Sequence, residues 1–418
     1  MLYSLYELQH TAVAPARYLA DQGQILFRNP LNPMSFTPMG RMTSAALDLF
    51  EHSTRRYGKP RFDLDWTHID GRDVRVTEEI MYRKGFGQIK RFVRDIRRPN
   101  DPKVLLVAPM SGHFATLLRG TVEALLPDHD VYITDWRDAR DIPLFEGRFD
   151  LCDYIDYVIG WLEDIGPKCH VIAVCQPAVP VYAAVARMEA EKNRAAPASI
   201  TLMGGPIDTR ANPTAVNELA TTRPLSWFER NVITHVPPPN AGMWRKVYPG
   251  FLQLAGFMSM NLGDHMMKHH EFFNHLVEGD GESADATRFF YEEYRSVMDM
   301  TAEFYLQTIE TVFQTHALPK GEMMHHEHRV DPKAITRTAI LCVEGERDDI
   351  SGIGQTRSAL DLASNLDPAK KRYFMAPKVG HYGIFNGRRW REVIAPEVKA
   401  SFASMMGIRV RPTRTVRA

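Results

Sequence analysis

The residues best placed to do chemistry lie in the segment Ile172-Ala173-Val174-Cys175-Gln176-Pro177-Ala178. An apolar run followed by helix-forming residues puts Cys175 where a buried strand turns sharply into a helix. A thiol on such a turn is a nucleophile, and the small Ala173 before it lets strand and helix approach. The positive end of the following helix favours the thiolate. The amide of Gln176 is placed to donate to an oxyanion. Pro177 stands where glycine is usual, but in a first helical turn it removes only an N–H that would be unpaired anyway. A random cysteine is a small core residue; the strand–helix junction sets this one apart.

A nucleophile on this turn needs a base and a group to orient the base, and they follow it in chain order, acid before histidine. The strand Thr338–Glu344 leads into Gly345-Glu346-Arg347-Asp348-Asp349. An acid in that loop can orient an imidazole. Either aspartate fits; the Gly-x-x-Asp spacing favours Asp348, and the other is left to cap a helix. After the last strand comes Gly380-His381-Tyr382-Gly383, and among 16 histidines His381 is distinguished by position, not type. It is the expected general base. The loop Met110-Ser111-Gly112-His113 supplies the second oxyanion amide, from Met110 or Ser111.

Two histidine clusters offer metal-ligand types: His265 with His269 and His270, and His325-His326-Glu327-His328. Neither has an HExxH motif or a distant third ligand, so both read as surface polar clusters and no metal is expected. The Met pairs 258/260, 266/267, 298/300 and 323/324 fill core or line a greasy groove.

The elements that must position these groups follow a rhythm. Residues 1–60 are helical, with Leu5, Leu8, Val13, Tyr18 and Leu19 at helical spacing and a second helix over about 40–56; such stripes usually dock on a main domain. Alternation over 65–100 predicts strands with a hairpin at Lys84-Gly85. Then strand Lys103–Pro109, helix 114–126, strand Val131–Asp135, helix 150–164, strand His170–Val174, helix 177–192 and strand Ser199–Met203 imply a doubly wound parallel sheet. The rhythm breaks at Gly204-Gly205-Pro206. A mostly helical stretch follows, with a Pro237–Gly242 loop suited to act as a lid. The sheet resumes with Thr338–Glu344, helix 352–364, strand 371–375 and helix 388–404. The expected fold is α/β, an α/β-hydrolase with a mostly parallel doubly wound sheet and a helical cap insertion. Its parts are 1–206 (N-terminal helices and the first part of the core), 207–330 (the cap) and 331–418 (the rest of the core).

Composition excludes some functions. Lys+Arg and Asp+Glu balance at 51 each over 418 residues, so no general grip on nucleic acid or anionic membrane is expected. The four cysteines form no CxxC pair, which suits a reducing compartment. The first residues lack the basic and apolar regions of a signal peptide, and no apolar run reaches the ~20 residues of a membrane span. A cytoplasmic, soluble protein is expected.

Together, the VCQP turn, Thr301–Glu322, the EGERDDISG loop and VGHYGIFNGRRW resemble the intracellular polyhydroxybutyrate depolymerases, over nearly the whole chain. The resemblance implies a cytoplasmic, granule-associated enzyme that cleaves esters of amorphous poly(3-hydroxybutyrate). The products would be 3-hydroxybutyrate units or oligomers. It implies a Cys175, Asp348, His381 triad and an acyl-thioester released by water or by coenzyme A, with no bound cofactor. The related polyhydroxyalkanoate synthases carry glycine after the turn where this chain has Pro177. A synthase-like acyltransferase and a non-catalytic granule-binding protein are the competing readings, and the oligomeric state is left open.

Overall fold

Five runs rich in Val, Ile or Leu form parallel strands buried on both faces, as a sheet covered by helices on each side requires, and a sixth, half-buried strand lies at the edge. The computed structural model describes residues 2–405 except 261 and 279, and of the side chains named above leaves out those of Met260 and His265. Three antiparallel strands come first: β1 (Trp66–Ile69), β2 (Arg72–Arg83) and β3 (Gly87–Arg94). The parallel set is β4 (Lys103–Val107), β5 (Asp130–Trp136), β6 (His170–Val174), β7 (Ser199–Met203), β8 (Ala339–Gly345) and β9 (Lys371–Ala376). They lie in the order β1-β2-β3-β5-β4-β6-β7-β8-β9. This strand order, with helical crossovers and a turn after β6, is the α/β-hydrolase fold.

Register decides what meets at the sheet's edge. Val174 pairs with Met203, Met203 with Val343, and Gly345 with Ala376. The loops leaving β6, β7, β8 and β9 therefore emerge side by side, where parallel sheets hold their ligands.

Helix α3 (Arg119–Leu125) follows β4, α4 (Leu151–Ile165) follows β5, and α5 (Ala178–Ala190) follows β6. Asp150 and Asp153 start α4 with reciprocal caps. Its apolar face joins an aromatic core, with Tyr154 4.4 Å from the Trp136 ring. The longer helices between β7 and β8 are α6 (Ala215–Thr222), α7 (Leu225–Asn231), α8 (Gly250–Met260), α9 (Leu262–Glu278), α10 (Gly281–Arg295) and α11 (Ala302–Thr308). A small sheet of Thr234–His235, Lys246–Tyr248 and Met300–Thr301 ties them together. A hairpin, Met324–His325 with His328–Arg329, closes the insertion. The fold ends with α12 (Ala395–Met405).

Four expectations change. The N-terminal helices, Leu2–Arg28 and Pro38–Thr54, form, but Leu5, Leu8, Tyr18 and Leu19 face solvent; Tyr3, Ala20 and Gln24 are the buried contacts. Helical spacing finds a stripe but not what it faces. The expected helix 352–364 shrinks to Ser358–Leu362. Ahead of it the buried Glu344 carboxylate accepts from the amides of Gly354, Thr356 and Arg357 at 2.8–2.9 Å and holds them in a turn. The expected helix 388–404 has a π turn at Trp390–Ile394, just before Pro396, which has no N–H to continue the ladder. The Pro237–Gly242 loop packs on residues 139–142, its Gly242 amide donating to Arg140 O at 2.8 Å, away from the cavity described next.

Candidate active site

Cys175 stands one residue past the end of β6 with φ +66°. A side chain at positive φ is strained by about 1–3 kcal/mol, and surrounding bonds must hold it there. Here they do: the Cys175 amide donates to Met203 O at 2.7 Å, and its carbonyl accepts from Ala178 N at 3.0 Å, opening α5.

His381 begins a short 3₁₀ turn after β9, and its Nδ1 lies 2.8 Å from Asp348 Oδ2. The other Asp348 oxygen accepts from the amides of Ile350 and Ser351 at 2.9 and 2.8 Å, which fixes the carboxylate. The two loops are stitched by Arg347 N donating to Val379 O at 2.9 Å. Both side chains are buried. Burial alone would push His381 down, but the charges of Cys175 and Asp348 and hydrogen bonds to both hold it well above the usual histidine range. Of the two aspartates the sequence left open, the structure sets Asp348 against the imidazole; Asp349 is exposed beside it.

The two oxyanion candidates of the first loop, Met110 and Ser111, both line the same cavity as Cys175, Gln176 and His381. The Met110 amide faces Gln176 Oε1 at 3.4 Å, a long contact that a substrate oxygen can displace. The loop is pinned to the insertion: the Gly112 carbonyl accepts from Met298 N at 2.6 Å, and His113 Nε2 lies 3.0 Å from Tyr294 O. Burial lowers the pKa of His113 to about 4, so it is neutral near neutral pH.

Two residues were missed by sequence reasoning. Gly204 has φ +56°, and a Cβ there would lie 3.1 Å from both Asp348 Oδ2 and His381 Cε1. A Cβ on Gly205 would lie 2.1 Å from that of Ala178. The pair lets three loops converge on one point. The signal was present, a Gly-Gly directly after the strand that neighbours the turn, but it was read only as a break in rhythm.

The cavity is about 450 Å³, with Phe228, Phe257, Phe304, Tyr305 and Phe313 from the insertion in its lining. Of the expected methionine pairs, Met300 borders it, whereas Met266 and Met267 are exposed. His269 rests against Tyr291, with ring centroids 4.3 Å apart.

Residues 204–406 match the family described as PHB de-polymerase C-terminus. The chain is a PHB depolymerase-like α/β-hydrolase, an ester hydrolase. No curated protein matches it. Among solved structures it is similar to a monoacylglycerol lipase of Paleococcus ferrophilus, at 12% identity and TM-score 0.41, over 72% of this chain and 94% of that one. A thermophilic esterase of Thermogutta terrifontis gives 15% and 0.40, over 82% and 97%. Naproxen esterase of Bacillus subtilis gives 12% and 0.41, over 87% and 97%. At these scores the fold of the depolymerase-like chain rests on its own strand order. Among the described residues, no helix is long and apolar enough to cross a membrane.

Proposed function

We propose that the chain cleaves ester bonds of amorphous poly(3-hydroxybutyrate) through Cys175, His381 and Asp348, acting at the surface of storage granules. The observation that carries the reading is a buried Asp348–His381 pair, 2.8 Å apart, whose imidazole shares the wall of an aromatic cavity with a cysteine on a positive-φ turn. The polymer enters from the matched family's description.

With Asp348 on Nδ1, His381 takes the Cys175 proton at Nε2. The thiolate adds to the ester carbonyl, and the oxyanion is met by the Gln176 amide and by Met110 or Ser111. Collapse breaks the C–O bond. His381 gives its proton to the leaving hydroxyl, and an acyl-thioester stays on Cys175. Water, deprotonated by His381, adds to the thioester; the thiolate departs and regains the proton. Ester and water become acid and alcohol, and coenzyme A thiol in place of water would yield a thioester product. The Gln176 Nε2 is buried with no hydrogen-bond partner among the described residues, so it is a further donor for a bound ester.

The test is release of 3-hydroxybutyrate from native amorphous granules, with and without coenzyme A. Cys175→Ala is expected to lower release by about 10⁴-fold or more, since such groups act as a unit. Near-normal release by the variant would sink the reading.

A further inference from the structure

In the sequence the second histidine cluster has neither an HExxH motif nor a distant third ligand; folding supplies the ligand. Helix α4 turns its apolar face to the core and leaves Cys152 and Asp156, one turn apart, toward the hairpin that closes the insertion. Asp156 Oδ1 lies 2.9 Å from His325 Nε2, and Asp156 Oδ2 lies 2.7 Å from His326 Nε2.

We propose that Asp156, His325 and His326 form a binding site for a divalent transition-metal ion, zinc above all, with water completing its shell. One ligand atom from each residue can be chosen so that all three lie within 4.8 Å of one another. Zinc takes nitrogen and carboxylate ligands at about 2.0–2.2 Å, so small side-chain rotations suffice. Two imidazoles and one carboxylate suit zinc better than calcium or magnesium, which prefer all-oxygen sets. The site combines an anchor with an entrance: the His325 side chain is 7% exposed and that of His326 52%. The Cys152 thiol sits at the rim, accepting from His326 N at 3.5 Å. A bound ion would clip the end of the insertion to α4, 169 residues earlier in the chain.

The proposal is tested on the full chain carrying Cys175→Ala, so that this thiol does not capture the ion. Titration with Zn²⁺ alone is expected to show one equivalent bound and a raised melting temperature. Asp156→Asn and His326→Asn should each weaken binding by at least about tenfold and abolish the thermal shift. Circular dichroism matching the parent shows that the variants fold. Cys152→Ser should keep the ion. Absence of binding would overturn the proposal. So would binding that survives both ligand variants, or that disappears only with Cys152→Ser, since the metal would then belong to a thiol.

Discussion

Among the described residues, two groups bring together cysteine, histidine and aspartate, and they differ in backbone, burial and pairing. At the sheet edge, Cys175, His381 and Asp348 come from three strand-end loops, the acid and imidazole are buried, and the cysteine is held at positive φ. At the side of α4, Cys152, His326 and Asp156 are partly exposed around a buried His325, and the aspartate faces two imidazoles at once. In the first group one carboxylate serves one histidine, whose second nitrogen is left for the thiol. In the second the carboxylate uses both oxygens on histidines, an arrangement for holding a cation. Residue types do not choose between a nucleophile and a chelator; the backbone that carries them does.

The largest expected break in this comparison comes from the two aspartates. Asp348→Asn should cut ester hydrolysis by roughly 10³–10⁴-fold, because the imidazole loses its tautomer and its partner. Asp156→Asn should leave hydrolysis within about twofold. Steady-state rates on a soluble short-chain ester measure both. Equal losses would mean that the two groups are not functionally separate.

Next is Gly204→Ala. Its Cβ would press on Ile384 Cδ1 at 2.6 Å and approach both Asp348 and His381, at a φ that alanine disfavours. Hydrolysis should fall by about 10–100-fold, with Zn²⁺ binding unchanged. Unchanged hydrolysis would show that this close approach does not set the alignment.

The smallest effect sharpens the second group. His326 is raised above the usual histidine value by its hydrogen bond to Asp156, and His325 is lowered by burial. In NMR titrations His326 should therefore keep its proton above pH 6.5, and His325 should lose its proton below that pH. Any stabilisation from the Asp156–His326 pair is present below pH 6.5 and fades as pH rises through the raised value. With Asp156→Asn the His326 midpoint should fall; a midpoint that stays put would remove Asp156 as the cause.

Much of this was legible in the sequence, for particular reasons. Buried parallel strands announce themselves as unbroken apolar runs, and chain order then names the loops after β6, β8 and β9. Their convergence is a matter of register, which the pairings Val174–Met203–Val343 supply. What was illegible depends on contacts between distant segments. The exposed faces of Leu5 and Leu8, the Glu344 carboxylate that holds residues 354–357 in a turn, and the meeting of Asp156 with His325 have no local signature. Gly204 and Gly205 fall between: visible as residues, but meaningful only once Ala178 and Asp348 stand beside them.

The left-handed backbone at residue 175 also limits what this position can become. Serine keeps the same single-branched reach and can occupy φ +66° at modest strain. Threonine adds a branch at Cβ where that conformation has least room. A hydroxyl nucleophile is therefore one exchange away by serine and closed to threonine, so the turn restricts the choice of nucleophile before any chemistry is tested.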